Sequence, residues 1–585
     1  MFSGCIKLKS INMNKNLFSL NKVTDISYMF NNCKLLQELD TSGFKTENVQ
    51  DMSYLFNNCN LLTSLSFTTN FNTKNVENMA YMFANCAYLK ILDVSAFYTT
   101  KVKDMSHMFY SCYSLRIINT SNFNTISVTD MSYMFANCNN IFNLDLNKFN
   151  TEKVINMEYM FANDKYLSIL DLSNFRTISC NNMRHLFDNC ERLNEIILPN
   201  FETSLVTDMS YMFQGCKKIK NLKLNHFGTE KVINMKNIFA NMISLVELNI
   251  NFGTQNVQDM SYMFYNDENL ENIELVSFET NNVKDMSYMF SGCKKIKNLE
   301  LDNFITNDNL LKINSMFSDC YNLEKITINN LYTKNIRDLS HLFENCYSLK
   351  TLEISKELFI TSNATLLNNM FTNCKALGKL DLNTKDFNSV KNISKIFFGC
   401  ENLSEINLPL INSGNLLDMS HMFYGCKNLK NIYNIQNIDT TNVINMESIF
   451  QDCGSLESLD LSNFKTPNLI KANHMFYNCR KLSNLNLGNF DTSKLTNMDY
   501  IFYKCSSLSS LDLSMFNTNN VQSMQFIFNY CTNLTKINLV KFNTINCDNF
   551  NAAFSGVSNI YIIINKEKNE QLLEKIYGDY TIVDK

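Results

Sequence analysis

The 585-residue chain contains no tryptophan and three prolines, and only 18% of its residues are charged. No apolar run approaches the roughly 18 residues that a membrane-spanning helix needs, so no span is read in the chain. No charged-then-apolar leader opens it, so no secretory signal is read either. The net charge is −4 and the pI about 6.0. That balance takes away the electrostatic case for nucleic acid or for an anionic membrane surface. Twenty cysteines form no Cys-x-x-Cys pair and no Cys/His cluster at zinc spacing. The Asn-, Lys- and Ile-heavy composition, like the missing tryptophan, reads as nucleotide bias and not as function.

What the chain does have is one phrase, written again and again. "VTDMSYMFANC" ends at Cys138, "NVQDMSYLFNNC" at Cys59, "LVTDMSYMFQGC" at Cys216 and "NVKDMSYMFSGC" at Cys293. The Phe of this phrase occurs 22 times between Phe2 and Phe554, and 15 of the 21 intervals are 26 residues. Length alone suggests about four domains. The period replaces that count with a stacked array, because a 26-residue unit cannot bury its apolar face alone.

Within a unit, "LDLSNF" (170–175 and 459–464) alternates apolar and polar residues, which predicts a short strand buried on one side. From Val128 the apolar residues fall at Met131, Met134, Phe135 and Cys138. Those offsets of three and four predict a helix of about two turns with one buried stripe. A Thr two residues after the strand-end Phe (Thr125, Thr151, Thr177) is expected to bond nearby backbone ahead of that helix.

The pattern Met-Phe-x-x-Cys-x-x-Leu-x-x-Leu-x-Leu resembles the BspA-like leucine-rich repeats of bacterial and protist surface proteins. More narrowly, it resembles their 26-residue variant, a domain of unknown function. The likeness runs from Met1 to about Val557. Pro199 and Pro409 sit just after the strand, where such relatives often carry Pro and this chain usually has Ser. The tail "NIYIIINKEKNEQLLEKIYGDYTIV" resembles the segment that closes such arrays.

The resemblance implies an α/β repeat fold: a leucine-rich-repeat solenoid with a parallel β-sheet on one face and short helices opposite. About 21 units would occupy 1–557 and a C-terminal cap 558–585. It further implies a non-enzymatic binding or adhesion protein, at the cell surface or secreted, with no cofactor. Its ligand would be a protein or glycan, on a host or neighbouring cell. The alternative is an intracellular protein–protein interaction scaffold, which the cysteine usage fits at least as well. Met1-Phe2 falls directly into the Met-Phe slot, so a polar cap is missing at the start. Either the chain is a fragment, or its start lies at an internal Met, or a partner covers the first turn.

Eighteen cysteines share one slot, three residues after the Phe, where Asp164, Met242, Asp267 and Val557 substitute. Cys180 and Cys547 replace the Val of the phrase. Both slots are otherwise mostly apolar, so the thiols are read as packing groups. His107, His185, His341, His421 and His474 stand two residues before the Phe, a slot that is Tyr in nine units. Helical geometry would turn this slot away from the core as an outer aromatic row, a weaker candidate surface. No partnered nucleophile accompanies these histidines, so no enzyme is read.

The main candidate binding row is the outward strand position between the two core Leu residues. It holds Asp40, Asp93, Asp145, Asp171, Glu274, Glu300, Glu353, Asp381, Asp460 and Asp512, with Asn in several other units. It reads either as a solvated surface or as a ligand face, on which neighbouring acids ~5 Å apart would attract a cation or basic partner. Lys223 and Tyr433 interrupt the row, which excludes a uniform calcium ladder. Specificity would come from such departures, or from the irregular stretch 355–366.

If the thiols pack, Cys293→Ser lowers stability by roughly 1–3 kcal/mol through burial of a hydroxyl, read from denaturant unfolding. Unchanged stability with lost binding would contradict the packing assignment.

Overall fold

The computed structural model describes residues 1–11, 20–68, 70–251, 253–328, 330–354, 363–383, 387–412, 414–576 and 579–585, apart from the side chains of Glu353 and Ile354. Most of the irregular stretch 355–366 therefore lies outside the described residues. Contacts divide the chain into two units, Met1–Val283 and Lys284–Lys585, and both repeat one plan.

Most turns contribute a three-residue strand with a buried Leu or Ile at its centre and exposed residues on either side. In the first unit Glu38–Asp40 pairs with Ser64–Ser66, Ile91–Asp93 with Ile117–Asn119, and Ile169–Asp171 with Glu195–Ile197, all parallel. In the second unit Asn298–Glu300, Lys325–Ile328 and Thr351–Ile354 form one parallel run. Lys379–Asp381, Glu405–Asn407 and Asn431–Tyr433 form another. The register places Leu39 beside Leu65 and Leu92 beside Ile118, so equivalent core residues stack. A slip of one residue would turn that column out into water. At the C-terminal end Ile560–Ile564 pairs with Lys536–Leu539 on one side and Tyr580–Asp584 on the other.

The helices expected opposite the sheet are absent. Among the described residues the α-helix is Glu570–Leu573, outside the repeated phrase. Inside the phrase, Tyr28 and Asn32 have φ of 56° and 60°, and the Tyr/His and Asn/Gly slots of later turns repeat this left-handed geometry. Each such residue other than Gly or Asn costs about 1 kcal/mol and breaks a right-handed helix. The amides then alternate. Those of Tyr28, Phe30 and Asn32 donate to the carbonyls of Ser53, Leu55 and Asn57 in the next turn, at 2.8–3.0 Å. Those of Met29, Asn31 and Cys33 donate three residues back within their own turn. The offsets of three and four are produced by a succession of tight turns around the core.

The same demand for partners explains other repeated residues. Thr125 donates its hydroxyl to the Asn150 carbonyl at 2.7 Å and accepts the Asn150 amide at 2.7 Å. The Thr slot thus clamps the next turn, 25 residues away, and not its local backbone. Asn side chains also reach between turns, as Asn57 to Asn31 and Asn58 to Asn32 at 2.9 Å. This gives the asparagine richness a structural use beyond nucleotide bias. The buried Phe residues stack at centroid spacings of 5.3–6.0 Å from Phe2 to Phe264. From Phe290 to Phe554 the spacings are 5.0–5.8 Å.

Cysteines of the main slot are buried free thiols, apart from the exposed Cys5. Many donate to the Phe carbonyl of the preceding turn, as Cys112 to Phe83 and Cys346 to Phe317 at 3.1 Å. A serine in this slot meets the same acceptor, which moves its cost toward the lower end of the range above.

Thr125→Val should lower unfolding stability by about 1–3 kcal/mol, because two backbone groups of Asn150 lose their partner at almost unchanged volume. Thr125→Ser, which keeps the hydroxyl, should recover most of that loss in the same denaturant titration.

Candidate functional site

The outward strand position is set first by turn chemistry. Asp40 accepts the Ser42 amide at 2.8 Å, Asp93 that of Ser95 at 2.9 Å, and Asp171 that of Ser173 at 2.9 Å. Asp145, Asp381, Asp460 and Asp512 make the same bond two residues on, at 2.9–3.1 Å. Short side chains that accept from the i+2 amide favour this turn, which is why Asp and Asn recur there. The Ser95 amide and hydroxyl hold the Asp93 carboxyl below its usual range, and the Ser173 hydroxyl and amide do so for Asp171. Glu274 and Glu300 are exposed in the same row, and the Glu353 side chain lies outside the described groups.

In the paired strands each acid lies beside an uncharged residue. Asp40 faces Ser66, Asp93 faces Asn119, Asp381 faces Asn407, Asp460 faces Asn486 and Asp512 faces Asn538. The expected file of mutually repelling carboxylates is therefore diluted, and so is its pull on a cation. Among the described residues no group of three or more His, Cys, Asp or Glu is arranged to hold a metal ion.

Sequence reasoning passed over the neighbouring outward position. Ile91, Ile117 and Ile169 stand there 59%, 56% and 47% exposed, and Phe142 nearby is 54% exposed. Ile91 and Ile117 are register partners. Asp93 and Asp171 follow Ile91 and Ile169 by two residues in their strands, Asp145 stands in the intervening turn where Asn143 takes the Ile slot, and exposed Lys90 and Arg116 precede Ile91 and Ile117. The signal was available: other units carry Glu38, Asn221 or Ser458 at this position.

The Tyr/His slot also differs from expectation. It is half-buried, and its rings lie face to face. Tyr28, Tyr54, Tyr81, His107, Tyr133, Tyr159, His185 and Tyr211 form one run with centroids 4.1–4.5 Å apart. The run ends where Asn237 takes the slot. Stacking of left-handed residues at the turn spacing replaces the helical outer face assumed from sequence. Burial pushes His107 down to about 4, whereas a 2.6 Å bond to Glu344 raises His341. Burial also pushes the Cys112 thiol up to about 12, far from a reactive thiolate.

Residues 24–572 match, in six overlapping segments (24–121, 114–222, 207–325, 311–411, 402–510 and 483–572), a family described as "Mycoplasma protein of unknown function, DUF285". The chain belongs to the DUF285 family. The matched stretch takes in nearly all of the repeated units read from the sequence. No curated protein matches the chain.

Among solved structures it is similar to a leucine-rich repeat protein from Bacteroides ovatus, with 17% identity, 76% of this chain and 94% of that one covered, and a TM-score of 0.35. A leucine rich cell surface protein from Faecalibacterium prausnitzii gives 16%, 64%, 83% and 0.31. A leucine-rich repeat protein from Eubacterium ventriosum gives 16%, 68%, 84% and 0.31. No helix among the described residues is long and apolar enough to cross a membrane.

Two DUF285 units replace the packing thiol with a buried carboxyl. Asp164 accepts the Cys138 amide and Asp267 the Met242 amide, each at 2.8 Å. Burial nevertheless holds both carboxyls well above their ordinary value of 3.8. The native state then keeps a proton that the unfolded chain loses, so stability falls as pH rises above about 4. Asp164→Asn should match the wild type below that pH and become increasingly more stable than it toward pH 7, in urea midpoints taken across the range.

Proposed function

We propose that this chain is a non-enzymatic binding protein that presents the outward face of its parallel strands to a protein partner. The observation that carries the reading is the exposed aliphatic group of Ile91, Ile117 and Ile169, bordered by charged residues. Ile91 and Ile117 stand side by side, exposed Asn143 takes the equivalent slot before Ile169, and exposed apolar side chains with a polar rim are the usual mark of an interaction surface. Its centre would supply apolar contact, and the rim would set orientation through Asp93, Asp145 and Asp171. The remaining acids of the row, Asp40, Glu274, Glu300, Glu353, Asp381, Asp460 and Asp512, would extend that rim along both units. In the same reading, residues 558–585 close the array at 557.

The setting proposed is a cell surface, in adhesion, and its support is the resemblance to surface-protein repeats. An intracellular scaffold is the second reading, favoured by the free thiols of the described cysteines.

Protease treatment of intact cells expressing the native gene separates the two settings. Release of peptides from these repeats supports the surface, and their protection supports the interior. For the binding face, captured partners should bind Ile91→Lys/Ile117→Lys at least tenfold more weakly than the wild type, with unchanged unfolding. Equal binding at equal stability would remove the sheet face as the contact.

A further inference from the structure

The second unit holds a groove away from the strand face, and a departure from the repeat makes it. The slot before the Cys is left-handed in nearly every described turn, and most turns fill it with Asn or another side chain. Gly399 and Gly425 are the one place in the sequence where two successive turns leave it bare. The groove over them has a volume of about 530 Å³, in the range of small-molecule sites. One wall is the stacked pair Phe398–Tyr424, with centroids 4.6 Å apart.

Its polar groups form two ordered chains. Glu401 bridges Lys375 at 3.6 Å and Lys427 at 2.9 Å. Asn478 donates to Asp452 at 2.6 Å and accepts from Arg480 Nε at 2.7 Å. Three cations thus stand against two carboxylates, an excess of one positive charge. The ligand chemistry follows. The cationic excess suits a single negative charge, and a carboxylate is the planar partner that Arg480 matches best. The alternating acids and amides suit hydroxyl groups, which donate and accept together. The Asn373 side chain lies over Gly399, and the bare floor at Gly425 lets a sugar ring come close to the backbone there. The groove offers no strand edge to a peptide, because the Gly399 and Gly425 amides are already given to Tyr424 and Gln451.

We infer that this groove binds an acidic sugar, a carboxylated pyranose within a glycan. The inference rests on the reading of the chain as a binding protein and adds a second kind of ligand on a second face.

The test is calorimetric titration of the full chain with a glucuronate-containing disaccharide, sialyllactose, neutral lactose and hexaglutamate. Gly425→Asn is the decisive variant. Asn holds the same backbone at Asn345, Asn373 and Asn478, and a Cβ at Gly425 comes no nearer than 3.6 Å to a neighbour. It should therefore fold normally and fill the groove. At least one acidic sugar should bind the wild type, with at least tenfold loss in Gly425→Asn and in Lys427→Gln, and lactose should bind far more weakly.

Binding by neither acidic sugar overturns the inference, as does sugar affinity equal in wild type and Gly425→Asn, or equal for lactose. Binding of hexaglutamate alone overturns it in favour of an acidic peptide. If sugar binding fails while Ile91→Lys/Ile117→Lys still loses its partner, only the groove is lost. Sugar binding intact with no effect at the strand face would instead remove the protein-contact reading.

Discussion

Every turn of this chain depends on the hydrogen bonds that it gives to its neighbour. A unit of about 26 residues is too small to satisfy its own backbone, and a buried unpaired amide or carbonyl costs about 1–3 kcal/mol. Strand pairing on one side and the alternating amides of the Met-Phe phrase on the other together supply the partners. Once both ladders are closed at one spacing, equivalent residues stack, and side-chain choice follows from what can repeat at that distance. Phe stacks on Phe, Thr clamps the next turn, and Cys meets the carbonyl of the turn before.

Regularity of this kind leaves little room for recognition, since the same surface is offered many times. The informative places are the departures. Isoleucine replaces polar residues on part of the strand face, glycine replaces Asn in two successive turns, and Asn237 ends the ring stack. Each departure changes side chains while the period of the repeat around it is kept. The buried acids Asp164 and Asp267 are departures of another sort. They keep an amide partner but bring a carboxyl into the Cys column, and they trade stability for a dependence on pH.

The acid row shows how far a structural need shapes the surface of a repeat. Its aspartates recur because they close the turn after each strand, and recurrence by itself therefore says little about ligand binding. Charged residues placed for a structural reason still shape the electrostatic surface around the exposed isoleucines. In the proposed reading, those carboxylates would favour partners that carry basic groups around an apolar contact.

The sequence by itself determined the period, the strand register and the buried columns, because these follow from which residue types recur at one spacing. It also determined that the main-slot cysteines pack, since Met242 and Val557 replace them in a slot of fixed register. It did not determine the path between the columns. Apolar offsets of three and four describe any chain that turns about once per three or four residues, and the Asn or Gly before most main-slot cysteines was the available sign of left-handed turns. The hydroxyl partners of Thr125, the stacked Tyr/His rings and the glycine groove were decided only by tertiary structure. Each joins groups about 26 residues apart or more, and such contacts exist only after the turns have stacked.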